Sequence, residues 1–352
     1  MEKTLTSFDG KESSDVPFVN PMISVILATK GNKTELLEQC IRSLLRQTFR
    51  DFEIILVYSV YPEQIRNLVE TNKILALKEP YPTLGAARNL GVKNARADLI
   101  SFIDDDAEAP VDWLQKIFSI FQKYPSLCCL GGPHFTPQEE SYKSPLRFVE
   151  GTFLEAHLQT AYIDRSAVGK IAGCNVTYRK IDFSKMGYLN EKVRTCEDWM
   201  FHLKLIENGY SLRFDPEVVV LHHRQGLKHL FTANSNAAPF FLSWKTLKYA
   251  RYESLFASFY ITNFVCLFLL ATLFVSIKVF ALSFVFLLLC YILFTAFRTH
   301  TYNWRIIYYP LAIILSLARL TGFYYGLFRS FGSKIKSSLH CNRSGTGSSK
   351  QV

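Results

Sequence analysis

The strongest constraint on this chain is an alternation of short apolar runs with helix-patterned stretches in its first half. "ISVILAT" (Ile23–Thr29) is apolar almost throughout, the pattern of a strand buried on both faces rather than one. "KTELLEQCIRSLLRQT" follows, and Leu36, Leu37, Cys40, Ile41, Leu44 and Leu45 mark one helical face. "FEIILVY" (Phe52–Tyr58) reads as a second buried strand, "KILALK" as a weaker third, "LGAARNLGVKNA" as a helix and "DLISFID" (Asp98–Asp104) as a fourth strand. Strands alternating with helices at this spacing imply right-handed βαβ units and an α/β fold with a mostly parallel central sheet. After the helix "VDWLQKIFSIFQKYP" come "LCCLGG", an irregular stretch with "IAGCNVTYRK", the helix "CEDWMFHLKLIENGY" and the short strands "SLRF" and "EVVVLHH".

Open sheets of this kind bind ligands at the carboxyl ends of their strands. The fourth strand ends there in "ISFIDDDAEAP", with Asp104, Asp105 and Asp106 in a row. Three like charges beside a core repel one another and lack solvation, so a positive partner is required. Continued strand alternation would project Asp104 and Asp106 to one side and Asp105 to the other. Two carboxylates on one side suit a hard cation, Mg²⁺ or Mn²⁺, carrying substrate phosphates. The same residues would also serve as a cap for the helix that follows.

Charge divides the chain. No Asp or Glu occurs after Glu253, and nine of the forty Lys and Arg lie beyond it, leaving 31 basic against 30 acidic residues before that point. All but one unit of the formal charge of +10 thus belongs to the apolar carboxyl-terminal part, and no nucleic-acid partner is expected. "FASFYITNFVCLFLLATLFVSI" and "VFALSFVFLLLCYILFTAF" flank Lys278, each close to the ~20 residues that span a bilayer as helix. A third apolar segment, near 306–328, carries Arg319, Gly322 and Gly326, and either crosses or lies at the interface. Met1 to Pro21 is polar and acidic, without the apolar core of a signal peptide. The expected organisation is a polar segment (1–20), a catalytic domain (21–232), a juxtamembrane helical linker (233–255), two or three transmembrane helices (256–328) and a basic, disordered tail (329–352). Lys245, Lys248 and Arg251 precede the first span, which places the catalytic domain in the cytoplasm of a multi-pass plasma-membrane protein. The eight cysteines show no CxxC pair or zinc spacing and read as small apolar fillers.

In order, "ISVILATKGNKTELLEQCIRSLLRQTFRDFEIILV", "GAARNLGVKNARADLISFIDDDAEAPVDWL", "AGCNVTYRK" and "CEDWMFHLKLIENGY" resemble the successive motifs of glycosyltransferase family 2, over roughly Ile23 to Leu221. The resemblance implies the GT-A fold, a nucleotide-sugar donor, Mg²⁺ or Mn²⁺, and inverting transfer of a sugar to an acceptor. It implies that Thr29, Arg88, Asp104 and Asp105 serve the donor, with Arg88 near the base or phosphates and Asp104 near the ribose. It implies Asp106, with Asp104, at the metal, and either His222 or His223 completing the metal shell. Asp198 becomes the general base, and Gly173, Cys174, Asn175, Glu197 and Trp199 fall on the acceptor side. Trp199 would either stack on a sugar or pack on its helix.

One departure stands out. The second strand of the family usually ends in an Asp pair that reads the base, whereas here it ends in Tyr58 and Ser59, so the base is left open. The membrane segments suggest a lipid-linked glycan acceptor and contact with membrane lipids. A polyprenyl-phosphate sugar synthase is the alternative. A nucleotidyltransferase making the nucleotide sugar is more remote, because "ATKGNKTE" lacks the Gly-rich basic loop of such enzymes.

Overall fold

The computed structural model describes residues 21–135 and 171–223, with isolated positions at 162, 163, 167, 272, 275–279, 282, 283, 285, 286, 325 and 329. The linker, nearly all of the apolar segments and of the tail, and the segment 1–20 lie outside the described residues. Among the described residues no helix is long and apolar enough to cross a membrane.

The first half folds as βαβ units. In order come β1 (Ile23–Thr29), α1 (Thr34–Leu45), β2 (Phe52–Tyr58), α2 (Arg66–Thr71), β3 (Leu75–Lys78), α3 (Leu84–Asn94) and β4 (Leu99–Asp104). A two-residue β5 (Ala107–Glu108), α4 (Trp113–Lys123), β6 (Leu127–Gly131) and β7 (His134–Phe135) follow. The remaining elements are β8 (Tyr162–Ile163), β9 (Asn175–Arg179), α5 (Lys180–Lys185), α6 (Glu197–Glu207), β10 (Ser211–Phe214) and β11 (Val220–His222).

Among the described residues, eight strands form one sheet in the order β3-β2-β1-β4-β9-β6-β10-β8. Strands β3, β2, β1 and β4 are parallel, as the repeated strand–helix pattern requires. Strand β9 enters between β4 and β6 and runs antiparallel to both. A second sheet, β5-β11-β7, pairs Leu221 with Glu108 and His222 with Ala107. This small sheet was not anticipated, since two-residue strands carry no period to read.

Alternation along β1 sends Val25 and Leu27 to one face and Ile26 to the other, and each face is packed. On the first, α1 and α4 bring Leu37, Ile41, Leu44, Trp113 and Ile117 against the sheet. On the second, Phe102, Tyr178, Phe183 and Phe201 stack at ring-centroid distances of 4.5–5.9 Å. Truncating a buried aromatic such as Phe102 to Ala would cost about 3–5 kcal/mol and loosen the strand that ends at Asp104.

Candidate active site

Strand β1 lies between β2 and β4, so the chain departs in opposite directions from the centre of the parallel half and opens a crevice at its carboxyl edge. Ala28 is level with Asp104 across the β1–β4 ladder. Thr29 Oγ1 donates to Asp105 Oδ2 at 2.6 Å and accepts from the Gly31 N–H at 3.0 Å.

The acidic run is not a continued strand. Strand β4 stops at Asp104, and Asp105–Asp106 form a turn before β5. The turn nevertheless directs Asp104 and Asp106 to the same neighbour, His222. Its Nε2 lies 3.6 Å from Asp104 Oδ2 and 3.3 Å from Asp106 Oδ1. Protein groups also supply positive charge. Lys33 Nζ donates to Asp106 Oδ2 at 2.6 Å and lies 3.9 Å from Asp105 Oδ1. Arg88 Nη2 donates to Asp104 Oδ1 at 2.8 Å. Burial would raise all three carboxyls, but His222 and Arg88 hold Asp104 below its ordinary value, and His222 and Lys33 do the same for Asp106. For Asp105 burial wins and pushes it up to about 6. His222 is raised to about 9, because the two carboxylates outweigh its burial.

Arg88, expected at the base or phosphates, is instead 3% exposed and lies behind the carboxylates. Its Nη1 donates to Glu197 Oε1 at 2.8 Å, and its Nη2 donates to the Gly173 carbonyl at 2.8 Å as well as to Asp104. Helix α3, capped where Thr83 Oγ1 accepts from the Ala86 N–H, delivers it there. Glu197 is likewise 3% exposed, so it ties the start of α6 to Arg88 rather than facing an acceptor. Burial, and then Asp198, push its carboxyl up to about 7 despite Arg88.

Asp198 is reached from the same knot. Its Oδ2 accepts from the Gly173 N–H at 2.7 Å and its Oδ1 from the Trp199 N–H at 2.7 Å. Gly173 allows this close approach, since a Cβ there would lie 2.4 Å from Arg88 Nη1 and 2.9 Å from Asp198 Oδ2. Asp198, the Gly173 peptide, Arg88 and Asp104 are thus joined by consecutive hydrogen bonds.

Asn175, expected on the acceptor side, is a buried brace. It accepts from Trp113 Nε1 at 3.0 Å and donates to the carbonyls of Pro133 (3.0 Å) and Val218 (2.6 Å), holding the approach to β11 on which His222 sits. His223 turns from the acidic pair, and its Nε2 lies 2.9 Å from Glu108 Oε1. Trp199 is half-buried and packs on the aromatic face of α6. Cys174 is buried, and its Sγ lies within 4.8 Å of ligand atoms of Asp104 and His222. Burial and then Asp104 raise its thiol well above the ordinary value, and sulfur is a soft donor that a hard cation does not favour. What remains, two carboxylates and an imidazole, is the donor chemistry that suits Mg²⁺ or Mn²⁺.

Sequence reasoning passed over Lys33. The residue lies just beyond a strand end, which was signal enough for attention, but nothing in the sequence joins it to a carboxylate 73 positions away.

Residues 24–185 match the family described as Glycosyl transferase family 2. Over these residues the chain is similar to glycosyltransferases. The two runs of strand and helix that bracket the crevice, and the mostly parallel sheet, are those of a GT-A-like α/β fold. An uncharacterized glycosyltransferase, EpsJ of Bacillus subtilis, is 37% identical over 91 residues, covering 24% of this chain and 26% of that protein. A glucosyl-dolichyl phosphate glucuronosyltransferase of Haloferax volcanii is 23% identical over 239 residues, covering 54% of this chain and 76% of that one. The match to an uncharacterized glycosyltransferase of Haemophilus influenzae covers 62% of that protein, so the chain spans between a quarter and three fifths of these two bacterial relatives. Among solved structures, the mannosyltransferase PcManGT of Pyrobaculum calidifontis, in complex with GDP-Man and Mn²⁺, has a TM-score of 0.49 at 15% identity, covering 86% of this chain and 88% of that one.

Proposed function

We propose that this chain transfers a sugar from a nucleotide-sugar donor to an acceptor hydroxyl at the cytoplasmic face of a membrane, with inversion at the anomeric carbon. One observation carries the reading. A hydrogen-bonded path through Gly173 and Arg88 fixes Asp198 relative to the Asp104–Asp106 pair, although helix and strand end are far apart in sequence. A sugar hydroxyl is a poor nucleophile, and Asp198 takes its proton as the new C–O bond forms. The bond from the anomeric carbon to the diphosphate breaks in the same displacement. A single base on the acceptor side needs no covalent intermediate, which gives inversion. Backbone N–H groups on both oxygens of Asp198 hold the carboxylate in one orientation. Asp104, Asp106 and His222 would hold a divalent cation, which supplies positive charge for the departing diphosphate.

Apolar runs beyond residue 256 support membrane attachment. Of the described positions there, Val275, Ile277, Leu282 and Phe286 are helical and between 65% and 75% exposed, which fits contact with lipid. The likeness to the Haloferax volcanii glucosyl-dolichyl phosphate glucuronosyltransferase supports a lipid-linked acceptor. Loading of a sugar onto a polyprenyl phosphate uses the same site and is the second reading.

The test is release of nucleoside diphosphate by the purified full chain from a panel of nucleotide sugars with Mn²⁺. Asp198→Asn should abolish transfer and leave donor affinity within about twofold, because a base acts on the acceptor. Loss of donor affinity in that variant would remove Asp198 from the role.

A further inference from the structure

The loop between β1 and α1 is built to place one cation on the acidic turn. Gly31 adopts φ +81°, and a Cβ there would lie 2.1 Å from the Val60 carbonyl oxygen, so the backbone can turn tightly only with glycine. Thr29 then accepts from Gly31 and donates to Asp105, which ties the loop to the turn it overlies. Two residues on, Lys33 closes on Asp106. The Asp106 carboxylate is 3% exposed, whereas the Lys33 side chain is 26% exposed and can withdraw toward solvent. A buried carboxylate needs a counter-charge, and a mobile ammonium supplies one without enclosing it.

We propose that Lys33 is an exchangeable counter-ion of the candidate metal site. With His222 it neutralises Asp106 when no cation is there, gives that carboxylate up in part as a divalent cation engages it, and so sets how tightly the cation is held. The inference rests on the reading of Asp104, Asp106 and His222 as cation ligands. Lys33 holds Asp106 Oδ2 while His222 faces Oδ1, so Lys33 and a divalent cation compete for the charge of one carboxylate, and each weakens the other's hold.

The experiment is a Mn²⁺ titration of the purified full chain without nucleotide, with free Mn²⁺ followed by electron paramagnetic resonance. Wild type, Lys33→Met, Lys33→Arg and Asp106→Asn are compared. Lys33→Met should lower the Kd about tenfold, the equivalent of one lost competing interaction. Lys33→Arg should return the Kd to within about threefold of wild type, because the competing charge is restored. A melting temperature for each variant separates a folding defect from an effect on binding. Mn²⁺ should raise it more for Lys33→Met than for wild type. An unchanged or higher Kd in a folded Lys33→Met overturns the proposal and leaves the metal reading standing. Mn²⁺ binding that is equal in wild type and Asp106→Asn, or absent from both, overturns the metal reading and the proposal with it.

Discussion

Glu197→Gln should make the protein more stable, and increasingly so as pH rises. Glu197 is 3% exposed, and burial has pushed its carboxyl from an ordinary 4.5 up to about 7. Below about 4.5 the group is neutral whether the chain is folded or not, and wild type and variant should match. Between 4.5 and 7 the unfolded chain gives up its proton while the folded chain keeps it, so wild-type stability falls with rising pH. Above 7 the loss is complete. The gap is worth about 3 kcal/mol at 1.36 kcal/mol per unit. Glutamine keeps the carbonyl oxygen that accepts from Arg88 Nη1, and Arg88 retains Asp104 as its counter-charge. The variant therefore behaves as the neutral acid at every pH. Melting temperatures of both proteins at pH 4.5, 6, 7 and 8 should diverge to roughly 6–12 °C in favour of Glu197→Gln at the highest pH. Groups common to the two chains cancel in that difference. A difference that stays flat across the range, or a variant less stable at pH 8, would refute the argument and show that the charged Arg88–Glu197 pair is a net stabiliser.

Gly173→Ala should lower stability by about 1.5–3 kcal/mol and reduce turnover more than donor affinity, since its Cβ displaces Arg88 Nη1 and Asp198 Oδ2 from their present contacts. Denaturant midpoints and a kcat-against-KM comparison check both parts. Three spans would leave the tail outside the cell, so a cysteine at Ser348, with Cys341 removed, should react with an impermeant maleimide in intact cells. Labelling only after lysis would leave two spans and an interfacial third segment.

The elements that run unbroken through the core were legible because burial on both faces writes itself as an apolar run. Ile23–Thr29, Phe52–Tyr58 and Leu99–Asp104 formed as strands at or within a residue of the expected bounds. The acidic strand end was equally plain, because three carboxylates beside a core demand compensation. Their compensators were not legible. Arg88 lies 109 positions from Glu197, and an arginine followed by Asn in a helix looks the same whether it faces a ligand or a buried acid. Asn175 read as a site residue because of its position, yet its side chain is spent on three bonds to the scaffold. Pairing across long sequence separations leaves no local period, and such contacts were what the sequence withheld.

The reversed direction of β9 has a consequence for how relatives of this chain can diverge. Because it runs against β4, residues entering it, Gly173 and Cys174, arrive at the same edge from which β1 and β4 depart. The crevice is therefore sewn from two separate stretches of gene, one ending at Asp106 and one beginning near Ile171. Between those stretches lie Tyr162 and Ile163, which pair with β10 in the main sheet, and the buried Ala167, so the intervening segment is itself tied into the fold. The two halves must therefore vary together, and the buried guanidinium of Arg88 is the seam at which any hybrid of them must still fit.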